Sequence, residues 1–482
     1  MKLSRRLGFS GLLLALLASG CGSKKPRIVV WIEVDTLRAD ALGCYGNHST
    51  GENGVLPSPG IDALAADGQL FEHAYSSAPW TIPSLVTQLS GEWPWEHGVR
   101  RLLELAPAER VPLVPRMKEL GWRTAGVTTN FIATSKQGFG RGFERFDDSL
   151  AQGHEGAHAP EALGKLLEFS DELAKDPGQG LFLFGWLFEP HYRYEEHAGL
   201  RFGPAYTGPL KGDEELNDLL ARRKQLTDED KLFLRGRYQS EVAYMDQALG
   251  KFIAELKRRG WYDEALIVFV ADHGEEILDH GWIGHSVTLH EELVHVPWIV
   301  KLPVSQAPSR KGTKIPDVVS LIDLPATLLD SMGARPSVAR GGLLGHSRSL
   351  LPLLRTGARS ERRWIYLHTD FEPLQDNALT LEKRGNAWGV IDAETALKWV
   401  VDHKQNPPQG ALYDLAHDPL EKNDLYARMG PGREAPMQRL RGLLARPLGG
   451  LRGAPEVLPE EPWIAWPADL DGGGPALVKE RH

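Results

Sequence analysis

The sequence predicts an α/β protein in which a mostly parallel central sheet is covered by helices on both faces. Two nearly continuous apolar runs rich in Val and Ile, residues 27–34 and Ala265–Ala271, are typical of strands that are buried on both sides. Helix-like and strand-like patterns alternate between these runs, at residues 111–120, 124–128, 160–174 and 181–188. This alternation indicates βαβ units, which build parallel sheets.

Composition limits the class of protein. The 482 residues are 42% apolar and 25% charged, which is typical of a soluble globular chain with a large core and an appended subdomain. The chain has 55 basic and 64 acidic residues, giving a formal net charge of −9. This balance gives no sign of the basic surface that nucleic-acid binding requires, so we expect no nucleic-acid partner.

The N-terminal segment has the pattern of an export signal. Basic residues precede a short apolar run at 12–17, and Leu-Ala-Ser-Gly then leads to Cys21. The apolar run is too short to span a membrane permanently. The Leu-Ala-Ser-Gly-Cys ending resembles a bacterial lipobox, so residues 1–21 are predicted to be a lipoprotein signal peptide and Cys21 the lipidated residue. A plain secretory signal with an incidental cysteine is the alternative.

The residues after the signal indicate the destination of the protein. Gly22 follows Cys21, a pattern that in Gram-negative bacteria usually directs a lipoprotein to the outer membrane, and residues 22–26 form a short polar tether. We therefore expect an exported bacterial lipoprotein, anchored by its N-terminal lipid at the periplasmic side of the outer membrane or at the cell surface. Cys44 is then the remaining cysteine, so no intrachain disulfide is expected.

Polar residues follow three of the predicted strands. Asp35 ends the first strand, Asp272 and His273 end Ala265–Ala271, and His191 follows the strand at 181–188. In open α/β sheets, ligands bind at the carboxyl ends of the strands, so these are candidate site positions. A turn or cap role for Asp35 and a surface role for His191 are the alternatives.

A second candidate lies at the start of a predicted helix. Thr81 stands just before Pro83 and Ser84, and the apolar pattern at 85–89 indicates the helix. Proline is tolerated in the first helical turn, and the free N–H groups and dipole of a helix N-terminus favour a bound anion. A hydroxyl at this position could attack a phosphate or sulfate ester, although a capping or turn role is the alternative.

Three motifs in this order resemble the sulfatase family of the alkaline phosphatase superfamily: Asp35-Thr-Leu-Arg-Ala-Asp, Thr81-Ile-Pro-Ser and Asp272-His-Gly-Glu. The resemblance spans about residues 27–425 and implies the alkaline phosphatase/sulfatase-like fold. In sulfatases a Cys, oxidised to formylglycine, begins a Cys-x-Pro-Ser-Arg motif. Here Thr81 replaces the Cys and Leu85 the Arg, and Thr has no known route to formylglycine. The chain thus resembles the branch that attacks phosphorus with Thr.

The resemblance implies roles for individual residues. The resemblance implies that a divalent cation, Zn, Mn or Ca, is bound by four side chains: Asp35, Thr81, Asp272 and His273. The cation would activate the Thr81 hydroxyl as the nucleophile. His285 would stabilise the transferred group or protonate the leaving alcohol, and His191 would contact an anionic ester substrate. His280, His290 and His295 are interpreted as structural.

The C-terminal third is predicted to be organised differently. Residues 318–332 are predicted to be a helix, and the sulfatase-like catalytic domain is predicted to extend over 27–354. The strand-like pattern of 364–401 then predicts a smaller α+β subdomain over 355–445, which closes one side of the site. Residues 446–482 are rich in Pro and Gly and are predicted to be an irregular tail.

The preferred function is hydrolysis of phosphate or phosphonate esters and diesters through Thr81. Water can cleave a phosphothreonine at phosphorus, whereas a sulfated Thr has no comparable exit. A sulfuric ester hydrolase without formylglycine is the first alternative. A phosphotransferase is the second, although such relatives usually carry several transmembrane helices, for which the sequence has no apolar run of sufficient length. A lipoprotein that keeps the sulfatase fold only for binding is the third.

Overall fold

The computed structural model describes residues 28–99, 101–102, 104–152, 158–175, 179–306, 309–334, 344–373, 384–404, 408–428 and 439–444. The predicted signal peptide with Cys21, the tether and the tail of 446–482 lie outside these residues. Within the described ranges, no helix combines the length and the apolar character that crossing a membrane requires.

The described chain alternates strands and helices as far as residue 332. The strands are β1 Ile28–Val34, β2 Gln69–Tyr75, β3 Arg123–Thr128, β4 Arg145–Asp147, β5 Leu181–Leu187, β6 Ala265–Ala271, β7 Glu276–Ile277, β8 Ile283–Gly284, β9 Trp298–Lys301, β10 Thr313–Ser320, β11 Trp364–Thr369, β12 Ala387–Asp392, β13 Leu397–Asp402 and β14 Gln409–Asp414. The helices are α1 Pro59–Asp67, α2 Thr81–Ser90, α3 Pro94–His97, α4 Leu113–Glu119, α5 Ala159–Leu173, α6 Leu216–Arg222, α7 Asp228–Arg258, α8 Glu291–Val294, α9 Leu324–Ser331, α10 Leu351–Thr356 and α11 Leu425–Arg428.

The central sheet has eight strands in the order β10-β2-β9-β6-β1-β5-β3-β4. Neighbouring strands are parallel except at β9, which is antiparallel to both β2 and β6. The two apolar runs of the sequence form β6 and β1, which are adjacent and buried along their whole length. The prediction of a mostly parallel sheet is confirmed, and the carboxyl ends of β1 and β6 lie side by side.

Helices cover both faces of this sheet. Gln88 of α2 hydrogen-bonds to Glu33 of β1 at 2.8 Å. The preceding residue, Ile32, points to the face that α5 covers. Ile32 and Leu166 of α5 both lie within 3.3 Å of the position that a Cβ atom at Gly185 of β5 would occupy. Because successive residues of a strand point to opposite faces, α2 and α5 lie on opposite sides of β1.

One predicted element is wrong at its start. Residues 318–332 were expected to form a single helix, but Val318 to Ser320 belong to β10, where they pair with β2, and the helix α9 begins at Leu324. A short apolar run fits a buried strand as well as a buried helix, and here pairing with β2 decides between them.

A second, smaller sheet follows the catalytic region. Strands β11, β12, β13 and β14 pair in this order, all antiparallel, and the short helix α11 packs against β14. The end of β11 touches the main domain, since the N–H of His368 donates to the carbonyl of Ser77 at 2.9 Å. The expected smaller α+β subdomain is confirmed.

Candidate active site

Helix α2 begins with the predicted nucleophile. Trp80 precedes it in an extended conformation, Thr81 is the first helical residue, and Pro83 lies in the first turn, where no N–H is needed. Every residue of α2 is buried, and Thr81 is only 2% exposed. Gly91 ends the helix with a φ of 71°, in the left-handed region that favours glycine. The Thr81 hydroxyl is therefore fixed at the positive end of a buried helix.

The four predicted metal ligands meet at one point. Nε2 of His273 lies 3.2 Å from Oγ1 of Thr81, 3.5 Å from Oδ1 of Asp35 and 3.4 Å from Oδ2 of Asp272. The two carboxylates and the imidazole are fully buried. Because β1 and β6 are adjacent and parallel, the residues that follow them lie together, as the strand-end argument predicts.

The hydrogen bonds of His273 define its tautomer. Nδ1 lies 2.9 Å from the carbonyl oxygen of Gly274, and because a carbonyl only accepts, Nδ1 carries the proton. Burial, and next the nearby His285, lower the pKa of His273 well below its usual value, so the ring is neutral. Nε2 therefore presents a lone pair to Thr81 and to the two carboxylates. This is the arrangement of a metal-binding histidine whose other nitrogen donates to a backbone carbonyl.

The carboxylate oxygens that face the Nε2 lone pair of His273 are suited to binding a cation. Oδ1 of Asp35 and Oδ2 of Asp272 are buried and have no hydrogen-bond partner among the described residues. Burial raises the pKa of both carboxyl groups, and for Asp35 the negative charge of Asp272 raises it further. A divalent cation bound by these two oxygens, Nε2 of His273 and the Thr81 hydroxyl would offset the repulsion. Two carboxylates, an imidazole and a hydroxyl are a donor set that suits Zn²⁺ or Mn²⁺.

The remaining oxygens of the two carboxylates are held by neighbouring donors. Oδ2 of Asp35 accepts from the side-chain amide of Asn130 at 2.5 Å. Oδ1 of Asp272 accepts from the N–H groups of His273 at 2.8 Å and of Thr36 at 3.3 Å. Thr36 takes a φ of 51°, which turns its N–H toward Asp272. Both carboxylates are thus oriented before any ligand binds.

One face of α2 continues the site into the core. Ser84, one turn after Thr81, donates to the carbonyl of Asp272 at 2.7 Å, and Gln88 donates to Glu33 at 2.8 Å. Trp31 donates to the other oxygen of Glu33 at 2.7 Å. Burial, and next the charge of Asp272, raise the pKa of Glu33. This polar layer fixes α2 against β1 and β6 and therefore fixes the Thr81 hydroxyl.

The two histidines predicted to face the substrate lie beside His273. The ring of His285 lies 4.6 Å from that of His273 and 5.1 Å from that of His191. Nδ1 of His285 lies 2.8 Å from Oε1 of the fully buried Glu275. His191 stacks on Phe188 at 4.4 Å between ring centroids. All the site residues named from the sequence and described by the structure therefore lie close together.

Two residues of this site were not found by sequence reasoning. Asn130 follows β3 at the same edge of the sheet as Asp35, so the strand-end argument could have found it, but an Asn after a strand is common in plain turns. Glu275 follows Gly274 in the chain. Only the fold shows that its carboxylate contacts the ring of His285. Asp40, part of the motif that begins at Asp35, pairs instead with Arg38 at 2.7 Å.

Comparison with known proteins places these residues in a known context. The family model "Sulfatase" matches residues 27–334. The chain is 22% identical over 366 residues to an arylsulfatase of Clostridium perfringens, covering 64% of this chain and 74% of that protein. It also matches the arylsulfatase K sequences of Bos taurus, Mus musculus, Canis lupus familiaris and Homo sapiens, of which it spans 34–39%.

Solved structures share the fold. A protein solved in complex with its substrate D-glucosamine-2-N,6-O-disulfate aligns with a TM-score of 0.68 at 17% identity, covering 88% of this chain and 98% of that chain. The phosphonate monoester hydrolase of Agrobacterium radiobacter aligns with a TM-score of 0.65 at 21% identity, covering 84% and 92%. At these identities the likeness concerns the fold, and both sulfur and phosphorus chemistry occur on it.

Proposed function

The chain belongs to the sulfatase family and is a hydrolase of ester bonds, and from this premise we propose that it cleaves phosphate or phosphonate esters with Thr81 as the nucleophile. The observation that carries the proposal is the position of the Thr81 hydroxyl. It lies 3.2 Å from Nε2 of His273, at the N-terminus of α2, beside two carboxylate oxygens that have no hydrogen-bond partner in the described structure.

The residues of the site suit an in-line displacement. A divalent cation held by Asp35, Asp272, His273 and Thr81 would lower the pKa of a neighbouring hydroxyl and offset the charge of the transferred group. Oγ1 of Thr81, which has lost its proton to solvent, forms a bond to phosphorus as an alkoxide while the bond to the leaving alcohol breaks. The N-terminus of α2 faces the negative oxygens of the ester.

His285 is suited to proton transfer to and from the leaving group. Its Nδ1 faces the Glu275 carboxylate, which leaves Nε2 to exchange a proton with the reacting groups. In the first step His285 donates a proton to the departing alcohol. In the second step it accepts a proton from the water that cleaves the phosphothreonine and releases Thr81. His191, next to His285, contacts the anionic ester.

The identity of the nucleophile favours phosphorus over sulfur. Water can attack phosphorus in a phosphothreonine and regenerate the hydroxyl. A formylglycine hydrate releases sulfate by elimination, and Thr81 has no second hydroxyl on the same carbon to drive that step. The arylsulfatase relatives nonetheless support a second candidate, hydrolysis of sulfuric esters without formylglycine. Export and lipid anchoring through Cys21 remain part of the proposal.

A substrate panel tests the proposal. The purified protein is assayed with 4-nitrophenyl sulfate, 4-nitrophenyl phosphate, bis(4-nitrophenyl) phosphate and a 4-nitrophenyl phosphonate, alongside Thr81→Ser and Thr81→Ala. We expect the phosphorus esters to be hydrolysed fastest, Thr81→Ser to retain part of that rate and Thr81→Ala to lose at least about a thousandfold. Fastest turnover of the sulfate would support the second candidate. An unchanged rate in Thr81→Ala would refute the role of Thr81, and no hydrolysis by the metal-loaded parent would indicate a binding protein.

A further inference from the structure

A second group of possible metal ligands lies just beyond the candidate active site. It consists of Glu276 in β7, His280 in the following turn and Glu292 in α8, and we call it the Glu276 cluster. Each residue offers one nitrogen or oxygen atom, and these three atoms lie within 4.8 Å of one another. The cluster shares no residue with the site around Thr81. Glu276 and Glu292 are buried, and His280 is half-buried.

The hydrogen bonds of His280 resemble those of His273. Nε2 of His280 lies 3.2 Å from the carbonyl oxygen of Glu421, so this nitrogen carries the proton and donates a hydrogen bond to the carbonyl. Nδ1 lies 2.6 Å from Oε1 of Glu292. A ring that donates one N–H to a backbone carbonyl and points its other nitrogen at a carboxylate has the orientation of a metal-binding histidine. The ring is also held by stacking on His290 at 3.8 Å.

Glu276 supplies an independent observation. Its side chain is fully buried, and Oε2 accepts from the hydroxyl of Thr288 at 3.0 Å. Oε1 is buried and has no hydrogen-bond partner among the described residues. A buried carboxylate oxygen without a partner is costly, and such oxygens are rare in folded proteins.

Lysine and arginine side chains do not offset the negative charge of the cluster. The buried Lys398 pairs with Glu291 at 2.9 Å and with Glu421 at 2.8 Å. Among the described residues, neither Glu276 nor Glu292 forms an ion pair with a lysine or arginine. A pocket of about 440 Å³ lies beside the cluster, and His280 and Glu292 form part of its lining.

We infer that the Glu276 cluster binds one divalent transition-metal ion, with Zn²⁺ as the best match. Two carboxylates and one imidazole are borderline ligands that suit Zn²⁺ or Mn²⁺ better than Ca²⁺, and water completes the coordination. Binding releases to solvent the proton that His280 and Glu292 share, and it gives the buried Glu276 carboxylate a positive partner. The ion would join β7 to α8, and through the Glu421 carbonyl it would support the smaller subdomain. This site is independent of the proposed function.

Metal counting tests the inference on the full chain. The protein is stripped with a chelator, dialysed against Zn²⁺, and its bound zinc is measured by mass spectrometry for the parent, Glu276→Gln, Asp272→Asn and the double variant. Glu276→Gln keeps the volume of the side chain and its bond to Thr288. We expect two equivalents in the parent, one in each single variant and none in the double variant. The exposed Glu119→Gln serves as a matched control and should bind two.

Each outcome decides between the two sites. One equivalent in Asp272→Asn, and a melting temperature of that variant that rises with Zn²⁺, would support the Glu276 cluster. Equal zinc in Glu276→Gln and the parent, or no zinc in a folded Asp272→Asn, would overturn it. If circular dichroism shows that Glu276→Gln is unfolded, Asp272→Asn alone decides. Loss of zinc only in Glu276→Gln would retain the cluster and count against the proposed active-site metal.

Discussion

Oδ1 of Asp35 lies 3.5 Å from Nε2 of His273, and the hydrogen bond from Nδ1 to the Gly274 carbonyl leaves that Nε2 without a proton. An ionised carboxylate and a nitrogen lone pair repel each other at this distance. Both atoms are fully buried, so water cannot separate them. A cation between them removes the repulsion.

Replacing Asp35 with Asn should weaken metal binding at the active site. The amide removes one negative charge and one strong oxygen ligand. Mutation of a residue that only hydrogen-bonds to a metal ligand lowers metal affinity by roughly 10–100-fold, and we expect loss of the ligand itself to lower the affinity for Zn²⁺ by more. Isothermal titration of the stripped protein measures it. Asp40→Asn, which alters an exposed carboxylate paired with Arg38, is the matched control. Equal affinities in the parent and Asp35→Asn would contradict this site.

Asn130 should act through Asp35 rather than on the substrate. Its amide donates to Oδ2 of Asp35 at 2.5 Å and so orients the other oxygen. In Asn130→Ala we expect the Zn²⁺ affinity to fall by about 10–100-fold. Excess Zn²⁺ should restore most of kcat, because the ligands themselves remain. A kcat that stays low at saturating Zn²⁺ would show instead that Asn130 contributes to the chemical step.

The reaction should pass through a covalent intermediate on Thr81. With a phosphorus ester whose alcohol is a good leaving group, breakdown of the phosphothreonine becomes slow relative to its formation. Rapid acid quenching followed by peptide mass spectrometry should then find phosphorylation within Thr81–Ser90. Thr87→Ala, which alters another buried threonine of α2, should still give the adduct, whereas Thr81→Ala should not. Phosphorylation of a different residue would assign the nucleophile elsewhere.

The site could be predicted from sequence wherever a strand end fixes the position of a side chain. Asp35, Asp272 and His273 follow adjacent parallel strands, so local patterns place them together without any knowledge of distant contacts. Asn130 and Glu275 were missed because their roles depend on side-chain contacts between residues far apart or in different loops. Asn130 donates to Asp35, and Glu275 contacts His285. The start of α9 was wrong for a related reason, since pairing of β10 with β2 involves residues far apart in the chain.

The smaller subdomain should lose stability in acid through a buried ion pair. Lys398 and Glu421 are fully buried and 2.8 Å apart, and although burial opposes ionisation, Lys398 lowers the pKa of Glu421 to about 2. A carboxyl group with a depressed pKa stabilises the fold above its unfolded pKa of about 4.3. That contribution should fade as the pH falls from about 4.3 to about 2.

Variants isolate this contribution. Glu421→Gln leaves Lys398 with only Glu291 as a buried partner, so we expect a loss of about 3–5 kcal/mol in the free energy of unfolding at pH 7. The double variant Lys398→Met/Glu421→Gln should recover part of it, because no buried lysine with only one of its two carboxylate partners remains. Denaturant unfolding at pH 7 and at pH 3 measures both effects. A loss in Glu421→Gln that is equally large at pH 3 and at pH 7 would contradict the ion-pair explanation.

Phe131 should favour esters with an aromatic leaving group. Its ring is 38% exposed and lies 5.9 Å from that of Phe188, which stacks on His191. These rings form a wall that leads from His285 to solvent, so a bound aryl group can pack against it. An aromatic contact contributes about 0.5–1.5 kcal/mol, and Phe131→Ala should therefore raise KM for phenyl esters by roughly 2–10-fold and leave kcat unchanged. Methyl esters should show no change, and the exposed Leu105→Ala should affect neither. An equal rise in KM for both classes of ester would show that Phe131 shapes the site without selecting the leaving group.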